Sequence, residues 1–268
     1  MKRILIPFLF LIPMILEAQM DLAYQKPTKE ILDLVDIERA PYVLMDNNKQ
    51  YMIFLYREAY GSIADLSKEE LRLGGLRIDP KTNISSRANY FYNVKIQKMD
   101  SEDIQEVSGL PENPKLTYFS WSPDEAKIAM TNTTEDGVEL WVLDIAKAKV
   151  SKLSEAKMNA NLSDAINWLN NESILVKMVS KDRKPLIDAE EAIPTGPTIS
   201  ENDGKKAQNR TYQDLLKNPN DEFNFEQLSL SEIHLINLKG ESSLWRPAAM
   251  YSSISVSPDG EYVMVNEI

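Results

Sequence analysis

"FSWSPDEAKIAMTN" at 119–132 and "SISVSPDGEYVMVN" at 253–266 are one plan written twice. Each is a short apolar run, then Ser-Pro-Asp, then an alternating apolar and polar run that closes on Asn. In Ser-Pro-Asp-Gly, proline fixes the dihedral of the second turn position, aspartate bonds its own backbone, and glycine takes the left-handed position. Such a turn joins two antiparallel strands. Ser257 to Gly260 satisfy it fully, whereas Ser122 to Glu125 put glutamate where glycine belongs, a substitution that costs about 1 kcal/mol. After the turn, Ile128 and Met130, or Tyr262 and Met264, point to one face, and Ala129, or Val263 and Val265, to the other. Both faces are apolar, so each strand is expected in a sheet sandwiched between neighbouring sheets.

Working outward, "LTYFSWSPDEAKIAMTN" and "GVELWVLDIAKAKVSKLSE" give four strands in order, at 116–121, 127–132, 138–145 and 149–153. "AINWLNNESILVKMVS" (165–180) repeats the first pair, with Trp168 in the place of Trp121, and "EIHLINL" (232–238) repeats "ELWVLDI" (139–145). "YVLMDNNKQYMIFLYRE" (42–58) is a degenerate copy turning at Asp46, Asn47 and Asn48. Four short antiparallel strands recurring every roughly forty to fifty residues are the signature of propeller blades. The expected fold is therefore all-β, a partial β-propeller of four-stranded antiparallel blades over 41–268, with a short helical insertion and a long loop insertion. The helix is expected within 65–75, capped by Asp65 or Ser67 and ended by Gly74 and Gly75. The loop insertion, 183–227, shows no period-two alternation. Its Tyr212, Leu215, Leu216, Phe223 and Phe225 are too apolar for a solvated tether, so a packed loop with a helical turn at 212–217 is expected. The closing "EYVMVNEI" reads as the second strand of a unit whose third and fourth strands are missing, which points to a fragment of a longer protein.

The opening "MKRILIPFLFLIPMILEAQM" has Lys2 and Arg3 ahead of an apolar run and a small residue at Ala18, the plan of a secretory signal peptide over 1–18. The run is shorter than the roughly 20 residues that span a bilayer, and Pro7 and Pro13 interrupt it. Removal after Ala18, an amino-terminal extension at 19–40, and an exported, periplasmic or secreted product with no membrane attachment are expected. A net charge of −11 repels phosphate backbones, which excludes nucleic acid as a partner. With no cysteine, an exported chain is held by its apolar core, for which 43% hydrophobic residues suffice.

Catalytic chemistry is absent from the pattern. No Gly-x-Ser-x-Gly elbow occurs, and the one histidine, His234, takes the strand position that Trp141 holds in the earlier repeat, which assigns it to packing. No catalytic residue is expected. One histidine and no cysteine exclude zinc. Asp188 with Glu190 and Glu191, and Asp221 with Glu222, lack the spacing and glycine of a calcium loop and read as solvated acidic patches. Neither a metal nor a cofactor is expected. Arg183 and Arg210 in the long insertion are candidate substrate-binding cations, because a guanidinium grips a carboxylate with two parallel hydrogen bonds. Pairing with the abundant local acids is their other reading.

The longer segments are more specific than the turn. "YQKPTKEILDLVDIERAP" (24–41), "LRLGGLRIDPKTN" (71–83), "TNTTEDGVELWVLDI" (131–145) and "IPTGPTISENDGKKAQNRTYQDLLKNPNDEFNFEQL" (193–228) together resemble the amino-terminal half of exported prolyl oligopeptidase family serine peptidases, in the glutamyl endopeptidase-like branch. The resemblance implies a propeller followed by a carboxy-terminal α/β-hydrolase domain that carries Ser, Asp and His, none of which lies within these residues. It implies peptide substrates, and a propeller that gates and selects them, with hydrolysis after acidic residues as the specificity its branch suggests. A non-catalytic periplasmic propeller, acting as a binding module or scaffold, stays open as the alternative at this level.

Overall fold

The computed structural model describes residues 25–162, 165–188, 196, 201, 203, 204 and 212–268. The chain divides into two compact units, Met1–Ile37 and Glu38–Ile268. The first contributes one described element, α1 (Lys29–Val35), which has no buried residue. The expected leader at 1–18 lies outside the described residues. Among those that are described, no helix is long and apolar enough to cross a membrane.

The second unit is all-β with two short helices. β1 (Tyr42–Met45) and β2 (Tyr51–Tyr56) form a hairpin about Asp46, whose carboxylate accepts the backbone N–H groups of Gln50 and Tyr51, both at 2.8 Å. The chain then leaves the sheet. It makes α2 (Ile63–Leu66), β3 (Leu71–Leu73), β4 (Leu76–Asp79) and β5 (Ile84–Ser85) before returning as β6 (Asn93–Lys98) and β7 (Ile104–Glu106). The first sheet is therefore β1-β2-β6-β7, and β3-β4-β5 is a small sheet of its own. A second four-stranded meander follows from β8 (Leu116–Trp121), β9 (Lys127–Thr133), β10 (Val138–Asp144) and β11 (Lys149–Lys152). These bounds fall within a residue of those expected from the alternation.

The third sheet has five strands. β12 (Ile166–Asn170) and β13 (Ser173–Val179) pair as a hairpin. After the long insertion, which ends in α3 (Pro219–Ser229), β14 (Leu230–Asn237) pairs with β13. β15 (Ser242–Val256) runs on without a break: its first part pairs with β14 and its last part with β16 (Val263–Glu267). All these pairings are antiparallel, as expected.

The sandwich predicted from the double-faced strands is present at β9 and is not at β16. Ile128 and Met130 join Ile53, Leu55, Val94 and Ile96 in a core between the first and second sheets. Ala129, one residue out of phase, joins Trp168, Ile174, Val176 and Ile236 in a core between the second and third. Burying a large aliphatic side chain contributes about 1.5–3 kcal/mol, so these two layers hold the unit together without disulfides. Val263 and Val265 pack on Leu175, Ile233 and Tyr251, while Tyr262 and Met264 on the opposite face of β16 are exposed.

Both insertions depart from expectation. Asp65 and Ser67 do not cap a helix start: Ser62 is the N-cap of α2, its hydroxyl accepting from the Asp65 N–H at 3.0 Å, and Ser67 closes the C-terminus. Gly74 and Gly75 do not end that helix either. They are the two-residue turn of the β3–β4 hairpin, with φ of 58° and 83°, the left-handed pair such a turn demands. In the long insertion, 212–217 is not helical, and the helix is α3, further on. Asn218 caps it by accepting from the Asp221 N–H at 2.9 Å, and Pro219 opens it. Asp221 and Glu222 thus sit in the first turn, where carboxylates complement the positive helix end. The packed-loop expectation holds for part of the described insertion: Phe225, Leu216 and Leu186 pack with Leu73, Ile78 and Leu228, whereas Tyr212 and Leu215 are exposed. The Gly75 N–H donates to the Asp214 carbonyl at 3.0 Å, and Arg77 lies 3.2 Å from the Asp214 carboxylate.

Candidate functional site

The same position of three successive repeats lines one cavity. Ser120 and Trp121 at the end of β8, Asn167 and Trp168 in β12, and Ile254 and Val256 at the end of β15 surround about 570 Å³. These are the strands that precede each repeated turn, so the sequence repeat is what brings them to a common space. Trp168 is held by its indole N–H, which donates to the Ser120 carbonyl at 3.0 Å across the two sheets. The wall is aromatic and aliphatic, with Asn167 as its one side-chain amide. Its titratable group is Tyr118, whose phenol burial pushes up. Such a space offers apolar contact and a few hydrogen-bonding groups. It holds no nucleophile with an adjacent base.

Tyr118 occupies this wall by an unusual route. Thr117 pairs with Thr131 and Ser120 with Ala129, so β8 carries one more residue than β9 between those two pairs, a bulge at Tyr118 and Phe119. Tyr118 has φ of 52°, left-handed for a bulky side chain. A bulge of this kind turns a side chain away from the regular face of its sheet. The sequence carries a trace of it: in "LTYFSW" the adjacent Tyr118 and Phe119 break the period-two alternation where the extra residue sits.

His234 makes the contacts of a structural residue. Its Nε2 lies 3.0 Å from Glu232 and its Nδ1 3.0 Å from the Ser242 hydroxyl. Trp141 donates its indole N–H to Glu139, also two residues earlier on the same face, at 2.8 Å. A tryptophan and a histidine therefore perform the same strand-surface task in two repeats, and neither lines the cavity described above. Hydrogen bonding to His234, opposed by burial, holds the Glu232 carboxyl below its usual value.

Arg183 donates from Nη1 to the Asn83 side chain, at the junction of the two insertions, and burial pushes its guanidinium below the ordinary arginine value. It lines neither cavity. Arg210 lies outside the described residues. Among the described residues no cluster of His, Cys, Asp and Glu suits a metal ion.

No family model matches the chain. A probable chloroplastic glutamyl endopeptidase of Oryza sativa subsp. japonica is 31% identical over 266 residues, spanning 92% of this chain and 28% of the relative. Its counterpart in Arabidopsis thaliana is 28% identical over 263 residues, spanning 91% of this chain and 27% of the relative. These relatives bear out the resemblance to the glutamyl endopeptidase-like branch, and this chain spans little more than a quarter of their length. Among solved structures, an acylaminoacyl peptidase of Pyrococcus horikoshii shares 13% identity across 87% of this chain and 36% of its own, at a TM-score of 0.33.

Proposed function

We propose that the chain is the propeller portion of an exported serine peptidase, gating and selecting peptides for a hydrolase domain encoded beyond these residues. In this reading the successive sheets are blades, and β15 serves as the outer strand of one blade and the inner strand of the next. The similarity to the rice relative over 92% of this chain is the observation that carries it. The cavity where three inner strands meet supports it further, being lined for peptide contact and lacking catalytic groups. Preference for cleavage after acidic residues, with Arg210 as one candidate cation, and delivery to the periplasm or outside the cell belong to the same proposal.

The test is made on the full reading frame. Its product is expected to react with a fluorophosphonate probe at a Gly-x-Ser-x-Gly serine and to hydrolyse peptides, while the 268-residue chain alone does neither. A full-length product with no such serine, no labelling and no hydrolysis would overturn the reading in favour of a non-catalytic propeller scaffold. In the active product, Arg210→Ala is expected to raise KM for peptides with an acidic residue before the scissile bond far more than for neutral ones. Equal effects would remove Arg210 from recognition.

A further inference from the structure

A second cavity, of about 440 Å³, lies on the other side of Tyr118, against the first sheet and the 57–92 insertion. Arg57 and Arg87 line it, together with Asn89, Thr117 and Tyr118, over an apolar wall that includes Phe91. Arg57 is exposed and makes no ion pair or hydrogen bond among the described residues. Arg87 reaches Glu70 at 3.3 Å, but Glu70 is shared. The same carboxylate also meets Arg72 at 2.8 Å and Arg77 at 3.9 Å, and accepts the Ser86 hydroxyl at 2.6 Å. The Ser86 bond first, and then the arginines, hold the Glu70 carboxyl down at about 2, so it is fully ionised at neutral pH. Asp214 partners Arg77. Three guanidinium groups, of Arg72, Arg77 and Arg87, therefore share the two carboxylates of Glu70 and Asp214, and Arg57 touches neither, in a chain whose net charge is −11. A local cationic excess in an acidic protein draws anions to that one place.

The shape of the cavity narrows the class of ligand. Tyr118 forms its wall only because the bulge in β8 holds a bulky residue in the left-handed region, a conformation that persists where the surroundings impose it and that gathers at ligand sites. Asn89 and Thr117 add neutral hydrogen-bonding groups beside the cations, and Phe91 supplies a face for a short apolar stem. A planar carboxylate on an aliphatic stem matches that lining. Because Tyr118 also lines the larger cavity, a peptide lying in one can send a side chain or its terminus into the other.

We propose that this cavity, with Arg57 as its principal cation and Arg87 as its second, binds a carboxylate carried by a peptide. The assignment rests on the peptide-handling reading above and deepens it. The carboxylate has two sources, an acidic side chain or a chain terminus. Three acetylated pentapeptides separate them when titrated into the 268-residue chain: one with an internal Glu and an amidated end, one with Gln and a free end, and one with Gln and an amidated end. One or both carboxylate-bearing peptides should bind about tenfold more tightly than the neutral one, and the tighter of the two identifies the source. Arg57→Gln should bring all three within about twofold, Arg57→Lys should retain part of the preference, and Arg87→Gln should reduce it less, because Glu70 already shares that cation. Circular dichroism confirms that each variant is folded. Equal affinity for all three peptides, or an acid preference that survives Arg57→Gln, would overturn the proposal. Binding is read here without hydrolysis. A failed peptidase assay on the longer product would leave this result standing, and lost acid preference would leave the peptidase reading standing.

Discussion

The turns at 122–125 and 257–260 share Ser-Pro-Asp and the same hydrogen bonds, yet they hold different things. In the first, the Ser122 N–H donates to the Lys127 carbonyl at 2.9 Å, the Glu125 N–H to the Ser122 carbonyl at 2.8 Å, and the Lys127 N–H to the Ser122 hydroxyl at 3.0 Å. In the second, Ser257, Gly260 and Tyr262 repeat those three bonds at 2.9, 2.9 and 3.0 Å. The two differ at the fourth position. Glu125 has φ of 56°, where glycine is at ease, and Gly260 has φ of 72°. The carboxylate of Glu125 accepts the Asn47 backbone N–H at 3.0 Å and the side-chain amides of Asn47 and Asn48. On its other side the Asp124 N–H donates to Asn171 at 3.0 Å. The first turn is thus clamped between the turns of the sheets before and after it. Glycine at 260 relieves the backbone and offers no side chain for such a clamp. A departure from the ideal turn residue marks the place where a turn has a second job.

The largest effect should come from removing the shared hydroxyl. Ser122 is 1% exposed and its hydroxyl serves Asp124 and Lys127, so Ser122→Ala should destabilise the chain by about 1.5 kcal/mol. Ser257→Ala, at a half-buried site, should cost about 0.5 kcal/mol or less. Urea melts that gave equal losses would show that the two turns are energetically alike. Next comes the fourth position. Gly260→Ala should cost about 1 kcal/mol, because the left-handed backbone is retained and nothing is gained. Glu125→Gly should change stability by less than about 0.5 kcal/mol, since relief of the same strain is offset by loss of the bonds to Asn47 and Asn48. A gain near the full strain energy would mean that the clamp contributes nothing.

The smallest difference is in acid. Burial raises the Asp124 carboxyl, but the Ser122 hydroxyl, the Ala126 N–H and Lys127 together bring it below its ordinary value. Asp259 is lowered chiefly by the Ser257 hydroxyl, then by the Glu261 N–H. A carboxylate with a depressed folded pKa stabilises above its unfolded value, near pH 4, and that contribution is lost as the pH falls through the folded value. Thermal melts at pH 6 and pH 3 should therefore draw closer together for both Asp124→Asn and Asp259→Asn. Melts as far apart as those of the parent chain would show that the carboxylate contributes nothing to its turn.

What the sequence determined by itself was local and periodic. Proline's fixed dihedral, aspartate's reach to its own backbone and period-two alternation placed the strands of the second sheet to within a residue and put Ile128 and Ala129 in different cores. The Trp141 position points to a packing role for His234, and the two side chains make the same kind of contact, each with a glutamate two residues earlier. The α3 start was also written locally, as Asn218, Pro219 and two acids. Tertiary structure alone decided the rest. The two insertions pack on each other through Leu73, Ile78 and Phe225, Arg183 turns to Asn83, and Glu125 finds Asn47. Tyr118 is bulged out of β8, between a cavity lined by three repeats and a second one lined by Arg57 and Arg87. The physical reason is range. A turn or an alternation is satisfied by residues a few places apart and leaves a period behind, whereas a clamp, a bulge or a cavity is satisfied by groups that only folding brings together, and leaves none.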